Sequence, residues 1–207
     1  MSVVRLSAAV IARRPVLALC ALVLACGVAA CGNQHPHSAA GPQSGENIAD
    51  ANNNGAYVFA GPVTYQLQIS RELNQYSTED AQYVKGLPSG TPASLPASEM
   101  WYGVFLWAKN QTHSPQMTSD NFKMVDTQGD TYYPVKLNAT LNSFTWSSQT
   151  LQPGAVQPEP DTIAGQGPTQ GGLLLFKVST NVFSNRPLTL YILGSQNQQL
   201  GSISLDL

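Results

Sequence analysis

The chain has 207 residues, with 10 Lys plus Arg against 12 Asp plus Glu, 17 Gly, 14 Pro and 3 Cys. At 11% charged and 43% hydrophobic residues it is poor in charge yet apolar enough to bury a core, which excludes wholesale disorder and favours one main domain. Arg5, Arg13 and Arg14 lie near the start and every acidic side chain comes after position 45. The remainder is therefore mildly acidic without a Lys/Arg cluster, and the cations that drive nucleic-acid binding or docking on anionic lipid are missing. No nucleic acid is expected as a partner.

Residues 1–30 read as an export signal: a basic stretch ending at Arg13-Arg14, then the apolar run Val16–Ala30. That run falls short of the roughly 20 residues needed to cross a bilayer, so a permanent transmembrane helix is the second reading. Val28-Ala29-Ala30-Cys31-Gly32 resembles the lipobox of bacterial lipoproteins, in which small residues precede a Cys whose thiol receives diacylglycerol. The resemblance implies lipidation at Cys31. Cys26, after Val23-Leu24-Ala25, is a rival site, and cleavage of the Ala-x-Ala type with an unmodified Cys31 is the plain alternative. Arg13-Arg14 also admits twin-arginine export, although Pro15 fits that pattern poorly. Two acyl chains suffice for stable anchoring, so the expected place is the extracytoplasmic face of the cell membrane. Processing at Cys31 would leave no free thiol, which removes disulfides, thiol catalysis and Cys-ligated metals together.

Residues 31–55 are mostly Asn, Gln, Ser, Gly, Ala and His with Ile48 the one aliphatic side chain beyond Ala, a composition expected to form a flexible tether. Residues 56–207 read as one all-β domain of about seven strands. Val63-x-Tyr65-x-Leu67-x-Ile69 alternates with polar residues, as a strand with one wet face does. Met100–Ala108 is apolar on both faces and predicts a central strand covered on both sides. Phe122–Val125, Thr131–Leu137, Gly172–Val178, Leu188–Leu193 and Leu200–Leu207 complete the set. Ser77 and Asp80 have a capping spacing and Gly86 can end a helix, so a short helix is predicted near 78–85. Gly86–Ser98 and Gln152–Gly171 are rich in Pro and Gly and read as long surface loops.

Four motifs carry a family resemblance: an aromatic strand closing on Lys109-Asn110, Phe122-x-Met124-x-Asp126-x-x-Gly129-x-x-Tyr132, Leu151-x-Pro153-Gly154, and Gly172-x-Leu174-x-Phe176-x-Val178. Over residues 100–193 these resemble the secreted Ig-like domains of bacterial lipoproteins, similar to telokin-like modules and related in fold to the mycobacterial immunoprotective extracellular protein. The resemblance implies an Ig-like antiparallel β-sandwich and brings no catalytic residue and no cofactor. The 70–99 region is longer than that pattern leads one to expect. Asp126-Thr-Gln-Gly-Asp130 has the composition of a hairpin turn and lacks the Gly position and the Glu of a calcium loop.

Chemistry is sparse. His113 is the one His outside the tether, Ser114 is its sequence neighbour, and there is no G-x-S-x-G elbow. Glu79 with Asp80 and Glu159 with Asp161 are carboxylate pairs better explained as helix-start and loop charges. His35, His37, His113 and Met117 are weak candidates for copper or another metal. Phe144 and Trp146, set among Ser and Thr, are candidates for a binding surface, against the alternative that they close one end of the sandwich. The expectation is a lipid-anchored, non-catalytic binding or structural module that needs no cofactor. Its partner would be an envelope protein or a small molecule; metal handling and an unrecognised hydrolase are the alternatives.

Overall fold

The computed structural model describes residues 48–50 and 57–205, all within the unit Pro42–Leu207. The signal segment, Cys31, His35 and His37 lie outside the described residues. Those described form β1 (Ile48–Asp50), β2 (Tyr57–Ala60), β3 (Val63–Leu73), β4 (Glu99–Asn110), β5 (Gln116–Met117), β6 (Asn121–Val125), β7 (Thr131–Tyr132), β8 (Thr150–Leu151), β9 (Val156–Gln157), β10 (Gly172–Ser179), β11 (Leu188–Leu193) and β12 (Gln199–Leu205). One short helix, α1 (Ile163–Gln166), lies in the connection before β10.

Two sheets face each other. One runs β1-β12-β11-β6-β7 and the other β10-β4-β3-β2, with β9 added to the end of β4 and a small β5-β8 ladder beside them. Among the described strands the pairings are antiparallel except β1 with β12, which is parallel, Ile48 lying opposite Ser202; an isolated parallel bridge joins Thr145 to Leu173. The protein is an antiparallel β-sandwich. Residues 48–50 belong to the segment read as tether, so the sheet begins ahead of the expected start at 56; backbone pairing of this kind needs no apolar pattern and leaves no trace in composition.

The alternation in β4 explains the architecture. Met100, Tyr102, Val104, Leu106 and Ala108 point between the sheets and meet Tyr65, Leu67, Phe122, Met124, Phe176, Leu190 and Ile203. Trp101 and Phe105 point the other way into a second core with Leu73, Tyr83, Leu95, Phe144, Leu173 and Leu175. β10 divides likewise, Leu174 and Phe176 to the first core, Leu173 and Leu175 to the second. The two-sided apolar strand is thus covered on both faces, but one cover is a layer of loops. Gly103, between the aromatics, leaves room that a Cβ would fill: it would lie 3.0 Å from the Phe105 ring.

The long connections Gly86–Ser98 and Gln152–Gly171 are surface loops, mostly exposed, from which Leu95 and Ala164 turn into the second core. Residues 74–98 lie over the outer face: the Gln75 side chain donates to Leu95 O and accepts from Leu95 N, and Trp101 Nε1 donates to Ala93 O at 2.7 Å. The expected helix near 78–85 is one 3₁₀ turn, Asp80–Gln82. Asp80 does not cap it; its carboxylate takes both arms of Arg71, at 3.0 and 2.5 Å, and the N–H of Asn74. Gly86 does reverse the chain there with φ +72°. The short helix occurs instead as α1, its first turn capped by Thr162, whose Oγ1 accepts from Gly165 N. The expected strand Thr131–Leu137 stops at Tyr132. Pro134, which has no N–H to donate, bridges to Phe176, and Val135 N donates to Leu175 O at 2.7 Å as the chain crosses to the other sheet.

Candidate functional site

Phe144 and Trp146 do not form a surface. Phe144 O and Trp146 N lie along β10: Leu173 N donates to Phe144 O at 2.6 Å and Trp146 N to Leu173 O at 2.9 Å. The segment is irregular and not a strand, so the two rings, two residues apart, part to different sides. Phe144, 5% exposed, enters the second core edge-on to Tyr83. Trp146 is half-buried against Tyr65 and Phe122, and its Nε1 donates to Ser119 O at 2.8 Å. Their Ser and Thr flanks suggested solvent, but each ring closes one of the two cores.

His113 is exposed in the bend after β4, and Met117 is 63% exposed with its sulfur accepting from Thr150 Oγ1 at 3.8 Å. Among the described residues no group of three or more His, Cys, Asp or Glu is placed to hold a metal. Glu159 and Asp161 are exposed on the loop before α1.

The family motifs resolve into structural junctions. Asn110 is fully buried: its Nδ2 donates to Ser114 O and Leu151 O, and its Oδ1 accepts from Thr112 N and Oγ1. Its backbone also holds the Pro153-Gly154 turn, Gly154 N donating to Asn110 O. Asp126 closes the β6–β7 hairpin as expected, accepting from Gln128 N, Asp130 N and Asn185 Nδ2, with Gly129 at φ +92°. Burial alone would raise the pKa of this carboxyl, but the donors from Asn185, Asp130, Gln128 and Gly129 together hold it below the ordinary carboxylate value. The hydrogen bonds from Arg71 lower Asp80 against its own desolvation. Tyr65, whose hydroxyl accepts from Ser119 N, is pushed up to about 12 by burial.

Among the described residues, two concavities offer room for a ligand. The first, about 310 Å³, is a polar cleft between the 143–149 and 157–164 segments, with Phe144 and Ala164 among its walls. Much of its polar lining is already partnered: Gln157 Nε2 donates to Ser147 O and its Oε1 accepts from Thr118, while Thr162 Oγ1 donates to Glu159 O.

The second lies on the outer face of the β2-β3-β4 sheet, beyond the loops that cover its other end. Val58 and Ala60 of β2 face the first core, so Tyr57 and Phe59 face outward, and they are 62% and 48% exposed. Register places Tyr57 opposite Gln66 and Gln66 opposite Trp107; the next row is Phe59, Thr64, Lys109 and Val156. Tyr57, Thr64, Gln66, Trp107, Lys109 and Val156 line a hollow of about 190 Å³. Trp107 differs from the other two tryptophans: Trp101 and Trp146 donate their indole N–H to carbonyls, whereas the buried Nε1 of Trp107 has no hydrogen-bond partner. The sequence reading missed this face. Its signal was present in Tyr57-Val58-Phe59-Ala60, two aromatics two apart with small aliphatics between them, a period-2 strand just ahead of Val63.

No protein-family profile matches the chain, and no curated protein matches it either. Among solved structures, the yjhA protein of Bacillus subtilis matches over 73% of this chain and 97% of its own, at 13% identity and a TM-score of 0.47. The candidate lipoprotein ycdA of Bacillus subtilis matches over 72% of this chain and 38% of its own, at 11% identity and a TM-score of 0.42. A β-sandwich protein of Clostridium difficile matches over 80% and 99%, at 10% identity and a TM-score of 0.38. Such identities and scores carry neither ligand nor activity to this chain. No helix among the described residues is long and apolar enough to cross a membrane.

Proposed function

We propose that this chain is a lipid-anchored extracytoplasmic module that binds without catalysis, through the aromatic face of β2, β3 and β4. The anchor is Cys31 behind Val28-Ala29-Ala30, and residues 32–47 serve as the tether between lipid and domain. An Ig-like arrangement is part of the reading: β3, β4 and β10 stand as the A, B and E strands, and β6, β11 and β12 as C, F and G.

The observation that carries the binding role is the pair Tyr57 and Phe59, large rings more than 45% exposed on one edge strand while their neighbours Val58 and Ala60 are buried. Edge strands ordinarily carry charge or Pro on their outer side, and clustered exposed aromatics mark contact surfaces. A structural role and a binding role separate in the double variant Tyr57→Ser, Phe59→Ser. Rings kept for contact leave the urea midpoint and its slope within about 0.5 kcal/mol of the parent, as surface changes do. A loss above about 2 kcal/mol, the scale of removing buried aromatics, would assign the rings to the fold and end this reading.

A further inference from the structure

We infer that the ligand of the aromatic face is a short saccharide, with an acidic sugar preferred over a basic one. The inference deepens the binding reading above and rests on it. A pyranose ring has a face of C–H groups and a rim of hydroxyls, and it is held where flat aromatic surface alternates with amide, hydroxyl and ammonium groups. Tyr57 and Trp107 line the hollow with Phe59 in the next row, and the polar groups are Lys109, the largely buried Thr64 and Gln66, whose Oε1 also accepts from Gln68 Nε2, interleaved row by row across three strands.

Other occupants fit less well. A protein interface of ordinary size takes about 20–30 residues a side, far more than this hollow offers. An acyl chain would gain nothing from Gln66, Thr64 or Lys109 and would leave their polar groups to be desolvated. The charge sets the preference: Lys109 is exposed and is the one charged side chain among the residues lining the hollow. An ammonium at the rim pairs with a carboxylate and repels an amine.

The test uses the full chain in a polyoxyethylene detergent, which carries no sugar, titrated with oligogalacturonate, a neutral hexose oligomer of equal length and a cationic glucosamine oligomer. Tryptophan emission and calorimetry are read together. Saturable binding is expected, ordered galacturonate, hexose, glucosamine, with steps of roughly two- to fivefold at an exposed cation. Tyr57→Ser, Phe59→Ser weakens it at least tenfold, Lys109→Gln removes the order of preference, and Trp107→Phe removes the emission change and weakens the calorimetric binding by less than the double variant does. Absence of saturable binding for all three sugars overturns the saccharide assignment, and so does binding that survives the double variant. Binding of an amphipathic helical peptide that the double variant abolishes, without sugar binding, overturns it in favour of a protein partner. The face itself is judged apart from these outcomes by the stability comparison above.

Discussion

Asn110 and Asp126 hold the loop geometry through single buried side chains, each bonded mostly to backbone, Asn110 as donor and acceptor and Asp126 as acceptor, with Thr112 Oγ1 and Asn185 Nδ2 as side-chain partners. Both stood out in the sequence as motif positions, and their chemistry was legible for Asp126, where Asp, Gly and Asp in five residues spell a turn. For Asn110 it was not, because its partner carbonyl at Leu151 is 41 residues away. Asp126 also sets a pH dependence. Its folded pKa lies below the unfolded value, so its contribution is complete above the unfolded carboxylate pKa of about 4 and is lost as pH falls through the depressed folded value. Asp80 acts in the same direction. The urea midpoint should hold from pH 7 to about 5 and fall below about 4. Asp126→Asn should lower the neutral plateau and flatten the acid limb; an unchanged acid limb would show that the carboxylate charge is not what the hairpin uses.

The strands were readable because period-2 alternation and two-sided apolarity are local signals. Val63-x-Tyr65-x-Leu67 and Met100–Ala108 took the faces their patterns demand. What was not readable is where a Pro- and Gly-rich connection ends up. In residues 74–98 and 134–146 the apolar side chains that turn inward, Tyr83, Leu87, Leu95, Val135 and Phe144, are scattered without period, so no local pattern marks them as a cover. They are scattered because loops, unlike strands, can turn any residue toward a sheet. The same limit left Phe144 and Trp146 open between a binding surface and the closing of one end of the sandwich. Their docking on β10 depends on Gly172, where a Cβ would come 2.7 Å from the Trp146 ring. Gly172→Ala should therefore cost about 1–3 kcal/mol, as overpacking does, with a shift in Trp146 emission. An unperturbed midpoint and spectrum would mean that the 143–146 segment is not seated on β10.

At the scale of the molecule, one antiparallel sandwich carries a second apolar layer of loops over much of its outer face and leaves aromatic side chains exposed at the end beyond them. The sandwich followed from seven short apolar runs; the second layer and the exposed rings required knowing which strand sits beside which. The leader speaks independently of the fold. A basic stretch, a short apolar run and a small-residue box ending in Cys31 are the features from which export and anchoring are proposed, and the proposed account joins that anchor to a contact face on the domain. Intact mass of the membrane-extracted protein from a bacterial host, beside a Cys31→Ser control, tests that account most directly. A mature chain starting at Cys31 with a diacylglyceryl adduct, absent from the control, is the predicted result. A full-length mass, or a mature chain without lipid, would contradict it.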